Sequence, residues 1–418
     1  MSEPIRNWAG NVVFRPARGH HPASPDELRR IVAGAKSVRV LGTGHSFNRI
    51  ADTDGDLVVL DRMPAAVRIH REEGAATVSA GLRLAEIAAR LHAEGFALTA
   101  LPSLPHISLA GACATGTHGS GDRNQGLAAL VRAMRLVGPD GDVVELQRGV
   151  SDDFDGAVVG LGALGVVTEL TVDVVPTFDV AQSVYENVAL SELIARLDEA
   201  FSAGYSVSAF TEWRDEASVW VKAKLPTDTP RPEPDWLGGR LAEHPAHPIP
   251  GMSGETCTEQ LGIPGPWHER LPHFRPDFTP SAGAELQSEF FVPRSRAAEA
   301  LAAVRDLGPI LAPVVQISEV RTVAADELWL SPAYRRDSVA VHFTWIADRA
   351  AVEPALAEVE RVLMPLAARP HWGKVFLGGP EAAVAAHERA GDFRELLERH
   401  DPEGKFRNDF VRQLFPAR

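Results

Sequence analysis

Two segments in the first hundred residues carry apolar side chains at helical spacing and predict amphipathic helices. Their apolar stripes consist of Leu28, Ile31, Val32 and Ala35 in the first segment and of Leu84, Ile87, Ala88 and Leu91 in the second. Ser24 is a suitable N-cap for the first helix, Pro25 suits its first position, and Glu27 completes a capping box. Gly95 is a suitable stop for the second helix.

Short apolar runs around these helices predict strands, which fall within residues 36–42, 55–61, 68–81, 131–146 and 160–176. The first two runs flank a glycine-rich loop. The third contains a hairpin turn at Glu73 and Gly74, and the fourth contains a Pro-Asp-Gly turn. The first 176 residues therefore predict one α+β unit.

The later part of the chain has a different pattern. Residues 226–282 are rich in proline and have few periodic runs, so they predict long loops. Convincing strands are predicted within residues 284–293, 314–323 and 338–346. An amphipathic helix is predicted from about Glu353 to Leu363. This order of elements predicts a separate sheet.

Glycine and hydroxyl residues are concentrated in two predicted loops, at residues 41–48 and 108–121. Glycine permits positive φ angles and close approach of a ligand, so successive backbone N–H groups in such loops can hold an anion. Two loops of this kind suit a pyrophosphate held between them. The alternative is that both are tight turns in which glycine serves packing.

The first loop does not match the common nucleotide-binding motifs. Phe47 stands where the dinucleotide fingerprint has its third glycine, and the residues that follow predict a strand instead of the required helix. The chain also lacks the Gly-Lys-Ser/Thr of a P-loop. His45 in this loop has three open interpretations: a satisfied polar residue, a phosphate donor, or a nucleophile beside a cofactor.

Polar residues interrupt one face of each of two predicted strands. Period-2 spacing places Glu319 and Arg321 on one face of the strand within 314–323. His342 and Thr344 share a face of the next strand. These side chains supply donors and acceptors that could line a pocket for hydroxyl groups. For Glu319 and Arg321 the alternative is a structural ion pair at a domain interface.

Composition and charge narrow the classes of function. The 418 residues are 45% hydrophobic and 23% charged, which is typical of a globular chain of two or three domains. A formal net charge of −14 argues against a nucleic-acid partner. Without a long apolar run or a signal-peptide pattern, we expect a cytoplasmic protein with no membrane partner. Cys113 and Cys257 lack metal-ligand spacing, so we expect two buried thiols and no metal.

Eight motifs give the chain an end-to-end resemblance to one flavoprotein family. VLGTGHSFN, SLPHISLAGACATGTHGSG and GLGALGVVTELT resemble the flavin domain of the vanillyl-alcohol oxidase family. ELQSEFFVP, SEVRTV, HFTW, RPHWGKVF and DPEGKFRNDFV resemble its branch of sugar-lactone and alditol oxidases. The resemblance implies a two-domain α+β fold of the PCMH type, with a substrate-binding cap domain on an antiparallel sheet. It assigns residues 1–178 to the FAD-binding domain, 179–372 to the substrate-binding domain, and 373–418 to a C-terminal segment that returns to the FAD domain.

The resemblance implies FAD as the cofactor. In this family the histidine of the G-x-G-H-S motif is bonded to the flavin, so His45 is the implied covalent anchor. Some members have a second link through cysteine, but we interpret Cys113 as a packing residue and expect a single link. The other residues implied to bind FAD are Gly42, Thr43, Gly44, Ser46, Ser103, Ser108, Gly111, Ala114, Thr115, Gly116, Thr117, His118, Gly165, Val167 and Lys374.

The resemblance also implies a substrate and a reaction. The implied polyol-binding residues are Ser103, Glu319, Arg321, His342, Thr344 and Lys374, and Glu319, Arg321, His342 and Lys374 are also assigned to catalysis. The terminal CH–OH carbon of an alditol such as xylitol or sorbitol would transfer a hydride to flavin N5. The hydroxyl proton would leave to His342, to Lys374 or through water. Reoxidation by O2 would give hydrogen peroxide and an aldose, and the family implies a monomer.

Two other functions stay open at this point. A sugar-lactone or sugar-alcohol dehydrogenase of the same fold would use oxygen poorly, and a catalytically silent flavin- or polyol-binding protein would leave its flavin oxidised. Pro102 stands where alditol oxidases carry alanine. In the wider family proline or glycine at this position accompanies oxidase activity, which favours an oxidase.

Overall fold

The computed structural model describes residues 4–227, 235–278 and 284–416. Its strands up to residue 176 are β1 Arg18–His20, β2 Val38–Val40, β3 Asp56–Val58, β4 Val67–His70, β5 Ala75–Ser79, β6 Phe96–Ala97, β7 Val131–Val137, β8 Val143–Gln147, β9 Val166–Asp173 and β10 Val175–Pro176. β1, β3 and β2 form a small parallel sheet in that order. β4, β5, β9, β7 and β8 form a five-stranded antiparallel sheet, and β10 pairs with β6.

The remaining strands form one ten-stranded sheet. They are β11 Asp179–Ala189, β12 Ser206–Thr211, β13 Glu216–Leu225, β14 Asp235–Trp236, β15 Gly239–Leu241, β16 Pro264–Pro266, β17 Glu285–Pro293, β18 Val315–Val323, β19 Ser338–Ile346 and β20 Arg369–Pro370. The path is β14-β15-β11-β13-β12-β18-β19-β17-β20, with β16 paired to β11, and every pairing is antiparallel. The α+β prediction with an antiparallel second sheet is therefore confirmed.

The helices are α1 Pro25–Gly34, α2 Leu84–Ala93, α3 Leu109–Thr115, α4 Phe154–Ala157, α5 Leu190–Ala195, α6 Leu197–Ser202, α7 Ala297–Asp306, α8 Gly308–Leu311, α9 Arg349–Leu363, α10 Gly379–Ala385, α11 Ala390–His400 and α12 Asp409–Leu414. Both N-terminal helices form as predicted, and Ser24 caps α1. The Glu27 carboxylate accepts from the Ala23 N–H at 2.8 Å, one residue before the N–H that a capping box would use. α9 begins a turn earlier than predicted, because Asp348 accepts a hydrogen bond from the Ala351 N–H and caps the helix there.

The proline-rich region contains more regular structure than predicted. Within residues 226–282, the described part includes β14, β15 and β16, which extend the large sheet. The rest of the described part consists of the predicted loops, together with two short 3-10 helices at Gly254–Thr256 and Trp267–Glu269. Residues 228–234 and 279–283 lie outside the described residues.

The two largest hydrophobic cores among the described residues support the two large sheets. One lies under the five-stranded sheet and includes α2, together with Phe393 of α11 and Val411 of α12. The other lies on one face of the ten-stranded sheet, against α5, α6, α7 and α9. The last helices thus pack on the N-terminal core, and we propose domain boundaries near residues 178 and 373 on this basis.

Candidate active site

One cavity lies between the loop after β2, the helix α3 and one face of the ten-stranded sheet. Every residue predicted to bind the substrate lines it: Ser103, Glu319, Arg321, His342, Thr344 and Lys374. The predicted cofactor residues that line it are Gly42, Thr43, Gly44, His45, Ser46, Ser103, Ser108, Gly111, Ala114, Thr115, Thr117, His118 and Lys374. The fold therefore brings together two groups of residues that lie about 200 positions apart along the chain.

Three residues predicted to bind the cofactor do not line this cavity. Gly116 has a φ of +77° where it ends α3, and a Cβ there would lie 2.8 Å from Pro332 Cδ. Gly165 has a φ of +151°, and a Cβ would lie 2.7 Å from the Val137 carbonyl oxygen. Val167 belongs to β9. The two glycines satisfy backbone geometry, and a cofactor role for the three residues stays a prediction.

The loop after β2 requires glycine at two positions. A Cβ on Gly42 would lie 2.6 Å from Ser108 Oγ, so glycine allows the loop to approach α3 closely. Gly44 has a φ of +71°, and its carbonyl accepts a hydrogen bond from the Trp8 N–H at 2.8 Å. The N-terminal segment thereby holds this loop against the cavity.

The His45 ring is held in the cavity wall as a neutral imidazole. It stacks on Trp8 with ring centroids 5.3 Å apart and an interplanar angle of 15°. Its Nδ1 lies 3.2 Å from Thr43 Oγ1, and its buried Nε2 has no hydrogen-bond partner within the described ranges. Burial lowers the pKa of His45 to about 4, and the nearby His106 and Lys374 act in the same direction. A neutral imidazole with an unsatisfied nitrogen fits the covalent attachment of a flavin.

The second glycine-rich segment is partly helical, which corrects the prediction of a loop over residues 108–121. Residues 109–115 form α3, whose buried face carries Leu109, Ala112 and Cys113 at helical spacing. Small residues on its other face leave the backbone open to the cavity. Cys113 is buried in the N-terminal core as expected, and burial raises the pKa of its thiol to about 12.

Glu319 and Arg321 belong to a buried network that is larger than the predicted pair. Arg321 Nη2 donates to Glu289 Oε1 at 2.6 Å, and Arg321 Nε lies 3.5 Å from Glu319 Oε1. Glu289 Oε1 also lies 3.1 Å from His118 Nε2. Burial opposes ionisation, but Arg321 holds the pKa of both carboxyl groups well below the usual range. The network is both a buried ion-pair cluster and part of the cavity wall, so the two interpretations from the sequence are compatible.

Glu319 has further partners on its other sides. His273 Nε2 lies 2.8 Å from Glu319 Oε1, and Ser103 Oγ donates to Glu319 Oε2 at 3.3 Å. The carboxylate is therefore fixed from the proline-rich region and from the N-terminal domain at once. Among the described residues each carboxylate oxygen has one hydrogen bond, and Oε1 also lies 3.5 Å from Arg321 Nε.

His342 faces the cavity as a neutral histidine. It is paired with Glu319 across β18 and β19, and none of the hydrogen bonds among the described residues uses its ring. Burial lowers the pKa of His342 to about 3, and Lys374 adds to this effect. The ring can therefore accept a proton or a hydrogen bond at neutral pH.

Lys374 lies a few residues after β20 and enters the same cavity. Its Nζ donates a short hydrogen bond to Gln287 Oε1. Burial lowers the pKa of Lys374 to about 8, Glu289 opposes the shift and Arg321 adds to it. Burial is therefore the largest cause of the shift, and the neighbouring cation is a smaller one.

Five polar residues of the cavity wall were not predicted from the sequence, namely Arg39, Gln287, Glu289, His273 and His371. Gln287 and Glu289 occupy alternate positions of β17, which is the same signal that identified the polar face of β18. His273 lies in the proline-rich region, and His371 directly follows β20. Neither histidine has a periodic pattern around it that could have identified it.

The part of the chain that the structure describes lacks two further features. No cluster of three or more His, Cys, Asp or Glu side chains there is arranged to hold a metal ion. No helix in those ranges is both long enough and apolar enough to span a bilayer.

The chain is similar to known proteins over nearly its whole length. Residues 16–147 match the family model of an FAD binding domain, and residues 284–414 match that of D-arabinono-1,4-lactone oxidase. An alditol oxidase from Streptomyces sp. strain IKD472 is 48% identical, over 99% of each chain. An L-gulono-1,4-lactone dehydrogenase from Mycobacterium tuberculosis is 29% identical, also over 99% of each chain.

Solved structures support the fold. Cholesterol oxidase from B. sterolicum has a TM-score of 0.78 over 99% of this chain and 97% of its own, at 14% identity. A likeness at that identity concerns the fold alone, whereas the full-length identity of 48% concerns the family. The chain belongs to the vanillyl-alcohol oxidase family of FAD-dependent oxidoreductases, in the branch of the alditol and sugar-lactone oxidases.

Proposed function

We propose that this protein oxidises the terminal primary hydroxyl of alditols such as xylitol and sorbitol to aldoses, with O2 reduced to hydrogen peroxide. The observation that carries the proposal is the convergence of all six predicted polyol-binding residues in the cavity whose wall contains His45. The identity of 48% to an alditol oxidase over the full length supports the same substrate class. Polyol and O2 are then the small-molecule partners, and we expect a cytoplasmic monomer.

FAD would be held by the loop after β2 and by α3, with His45 as its single covalent anchor. The match to an FAD binding domain and the unsatisfied, neutral imidazole support this assignment. When bound, the flavin supplies a hydride acceptor at N5. The protein supplies the position of the substrate and the path of the proton.

The polar cavity wall suits a chain of hydroxyl groups. Glu319 is ionised and can accept hydrogen bonds, whereas Arg321 can only donate them. The hydroxyls of Ser103 and Thr344 can do either. An alternation of donors and acceptors is what successive hydroxyls of a polyol require, and it orients the terminal carbon for hydride transfer.

His342 is our candidate for the acceptor of the hydroxyl proton. Its ring is neutral and has no partner in the described part of the chain, so it can take the proton directly. Lys374, with a pKa of about 8, is mainly an ammonium at neutral pH and can only donate. It would hold the reacting oxygen while His342 removes its proton.

The proposal is tested by peroxide release under air from a panel of alditols, with the aldose measured as the second product. We expect equal amounts of the two products from xylitol. Xylitol that leaves the flavin oxidised under anaerobic conditions would refute the proposal and favour a silent binding protein.

The covalent anchor is tested separately. Denatured protein run on an SDS gel should fluoresce as a flavoprotein, and His45→Ala should release its flavin on acid precipitation. Flavin that stays attached to the variant would place the anchor at another residue.

A sugar-lactone dehydrogenase is the second candidate. The matches to the lactone oxidase model and to the L-gulono-1,4-lactone dehydrogenase favour it. L-Gulono-1,4-lactone would then reduce an artificial dye without peroxide release, and alditols would not. Peroxide from xylitol at a higher kcat/KM than from the lactone would exclude this candidate.

A further inference from the structure

Lys222 is a fully buried lysine beneath the cavity and has no part in the proposed reaction. It lies on β13 with 1% of its surface exposed. Its Nζ donates to the carbonyl oxygens of Leu271 and Pro272 and lies 3.1 Å from His273 Nδ1. No carboxylate in the described ranges lies within 4.0 Å of this ammonium. A buried cation without a direct counter-ion is costly, so its position requires an explanation.

The contacts of His273 with Lys222 on one side and with the ionised Glu319 on the other favour the same tautomer of its ring. Burial lowers the pKa of Lys222 to about 7, although the nearby Glu319 opposes the shift. The ammonium form can only donate, so the neighbouring Nδ1 must be unprotonated and accept when Lys222 is charged. Burial lowers the pKa of His273 to about 4, so the neutral ring carries its single proton on Nε2. That Nε2–H is the group that lies 2.8 Å from Glu319 Oε1.

The His273 ring has little freedom to move away from this arrangement. Phe210 and Trp220 contact it edge to face, with centroids 5.2 and 5.3 Å away. Its exposed fraction is 3%. Because the ring is fixed, the choice of tautomer decides whether Glu319 receives a hydrogen bond or faces a lone pair.

Glu319 Oε1 is then occupied by His273 and Arg321. The other oxygen, Oε2, accepts only from Ser103 among the described residues and is available to a substrate hydroxyl. The orientation of this carboxylate therefore depends on a chain of buried contacts that begins at Lys222.

We propose that Lys222 is a positioning residue for the substrate, which fixes the tautomer of His273 and thereby aims Glu319 Oε2 at a polyol hydroxyl. The inference rests on the proposed role of Glu319 in substrate binding. Lys222 does not touch the substrate and acts through two other side chains. The opposing explanation is that Lys222 only ties down the backbone at residues 271–272.

Lys222→Met in the full-length flavoenzyme separates the two explanations. Loss of one hydrogen bond to a charged group corresponds to an increase of about 10- to 100-fold in the KM for xylitol, with a smaller change in kcat. Lys405→Met is the matched control, because Lys405 is also buried and its Nζ donates, among the described residues, only to the carbonyl oxygens of Val32, Ala33 and Pro139. It should lower the unfolding temperature and leave the KM unchanged.

A double-mutant cycle tests whether the effect runs through Glu319. In a Glu319→Gln background, Lys222→Met should raise the KM by less than threefold. An equal increase in both backgrounds would overturn the proposal, as would a Lys222→Met enzyme with a lower unfolding temperature and the KM of the wild type.

Two variants of His273 test the same chain if Lys222→Met does not fold. His273→Leu removes the donor to Glu319 and should raise the KM, whereas His273→Gln supplies an amide donor and should raise it less. Equal KM values for the two variants would overturn the proposal. A wild-type flavin that no alditol reduces would overturn the proposed function together with this role. An active wild type whose KM is insensitive to Lys222 would overturn this role alone.

Discussion

The pH dependence of kcat/KM tests the proposed roles of Lys374 as hydrogen-bond donor and of His342 as proton acceptor. The profile of kcat/KM reports ionisations of the free enzyme. Burial gives Lys374 a pKa of about 8 and His342 a pKa of about 3. If the ammonium of Lys374 must donate and the neutral ring of His342 must accept, activity requires a pH between these two values.

The expected profile follows from the protonated fraction of Lys374. From about pH 5 to about pH 7 Lys374 is charged and His342 is neutral, so the ionisation of these two groups should leave kcat/KM unchanged. One unit above its pKa about one lysine in eleven keeps its proton, so kcat/KM should fall about tenfold by about pH 9. An unperturbed lysine would delay this fall to about pH 11.

The same shift has a consequence for stability. A lowering of the pKa of Lys374 from 10.5 to about 8 corresponds to a cost of about 3 kcal/mol for the buried ammonium. Between these pH values the folded protein binds fewer protons than the unfolded chain. The contribution of Lys374 to the free energy of unfolding therefore rises with pH across this window.

Two variants show which residue causes the fall of kcat/KM at high pH. Lys374→Arg keeps its charge throughout the accessible range, so the fall above about pH 8 should disappear. His342→Asn should lower kcat/KM by about 10²- to 10⁴-fold at every pH and keep the fall. Stopped-flow reduction of the flavin by xylitol measures both. If kcat/KM of the wild type instead rises with pH near 8, His342 is not the base, and the neutral amine of Lys374 accepts the proton.

Three further predictions concern the cofactor loop and the buried network. Trp8→Ala should slow covalent flavin attachment to His45 about two- to tenfold relative to Trp8→Phe, because the loss of ring stacking costs about 0.5–1.5 kcal/mol. Equal rates of acid-stable flavin formation in the two variants would contradict this prediction. Gly42→Ala should reduce the fraction of protein that retains flavin, because its Cβ would lie 2.6 Å from Ser108 Oγ. Gly34→Ala should not, because its Cβ would meet no atom within 4 Å. The ratio of flavin absorbance to protein absorbance in the purified variants measures both effects. Glu289→Gln should lower the free energy of unfolding at pH 7 by about 3–5 kcal/mol, because it removes the closer carboxylate from Arg321 and leaves the longer contact with Glu319. An unfolding temperature equal to that of the wild type would show that the ion pair between Glu289 and Arg321 is not needed for stability.

Periodicity predicted the parts of the fold in which local sequence and tertiary packing agree. The stripe of α2 is buried in full, and the alternation along β18 and β19 placed Glu319 and His342 correctly on the cavity face. These positions are determined by the period of a helix or a strand, which is a local property. The resemblance to a family supplied what periodicity could not, namely that Ser103 and Lys374 lie beside that face.

Local patterns failed where several segments meet. α3 was predicted as a loop because its glycine and hydroxyl residues have low helix propensity, but Leu109, Ala112 and Cys113 gain enough burial to make it helical. His273 lies in a segment without regular structure, and its role depends on β13 and β18, which contact it from far along the chain. The sequence pattern of a single segment cannot predict a contact between side chains that lie far apart along the chain.

The arrangement of charges in the cavity follows from the neutrality of the proposed substrate. A polyol brings no charge that could compensate a buried cation or carboxylate, so each charged group must be compensated within the protein before the substrate binds. Arg321 lies between Glu289 and Glu319, and Lys222 reaches Glu319 through His273. Because these contacts fix the charged groups in advance, they can offer hydrogen bonds to hydroxyls without rearrangement, which lowers the entropic cost of binding. The same dependence explains why a lysine outside the cavity wall can alter the affinity for a substrate that it never contacts.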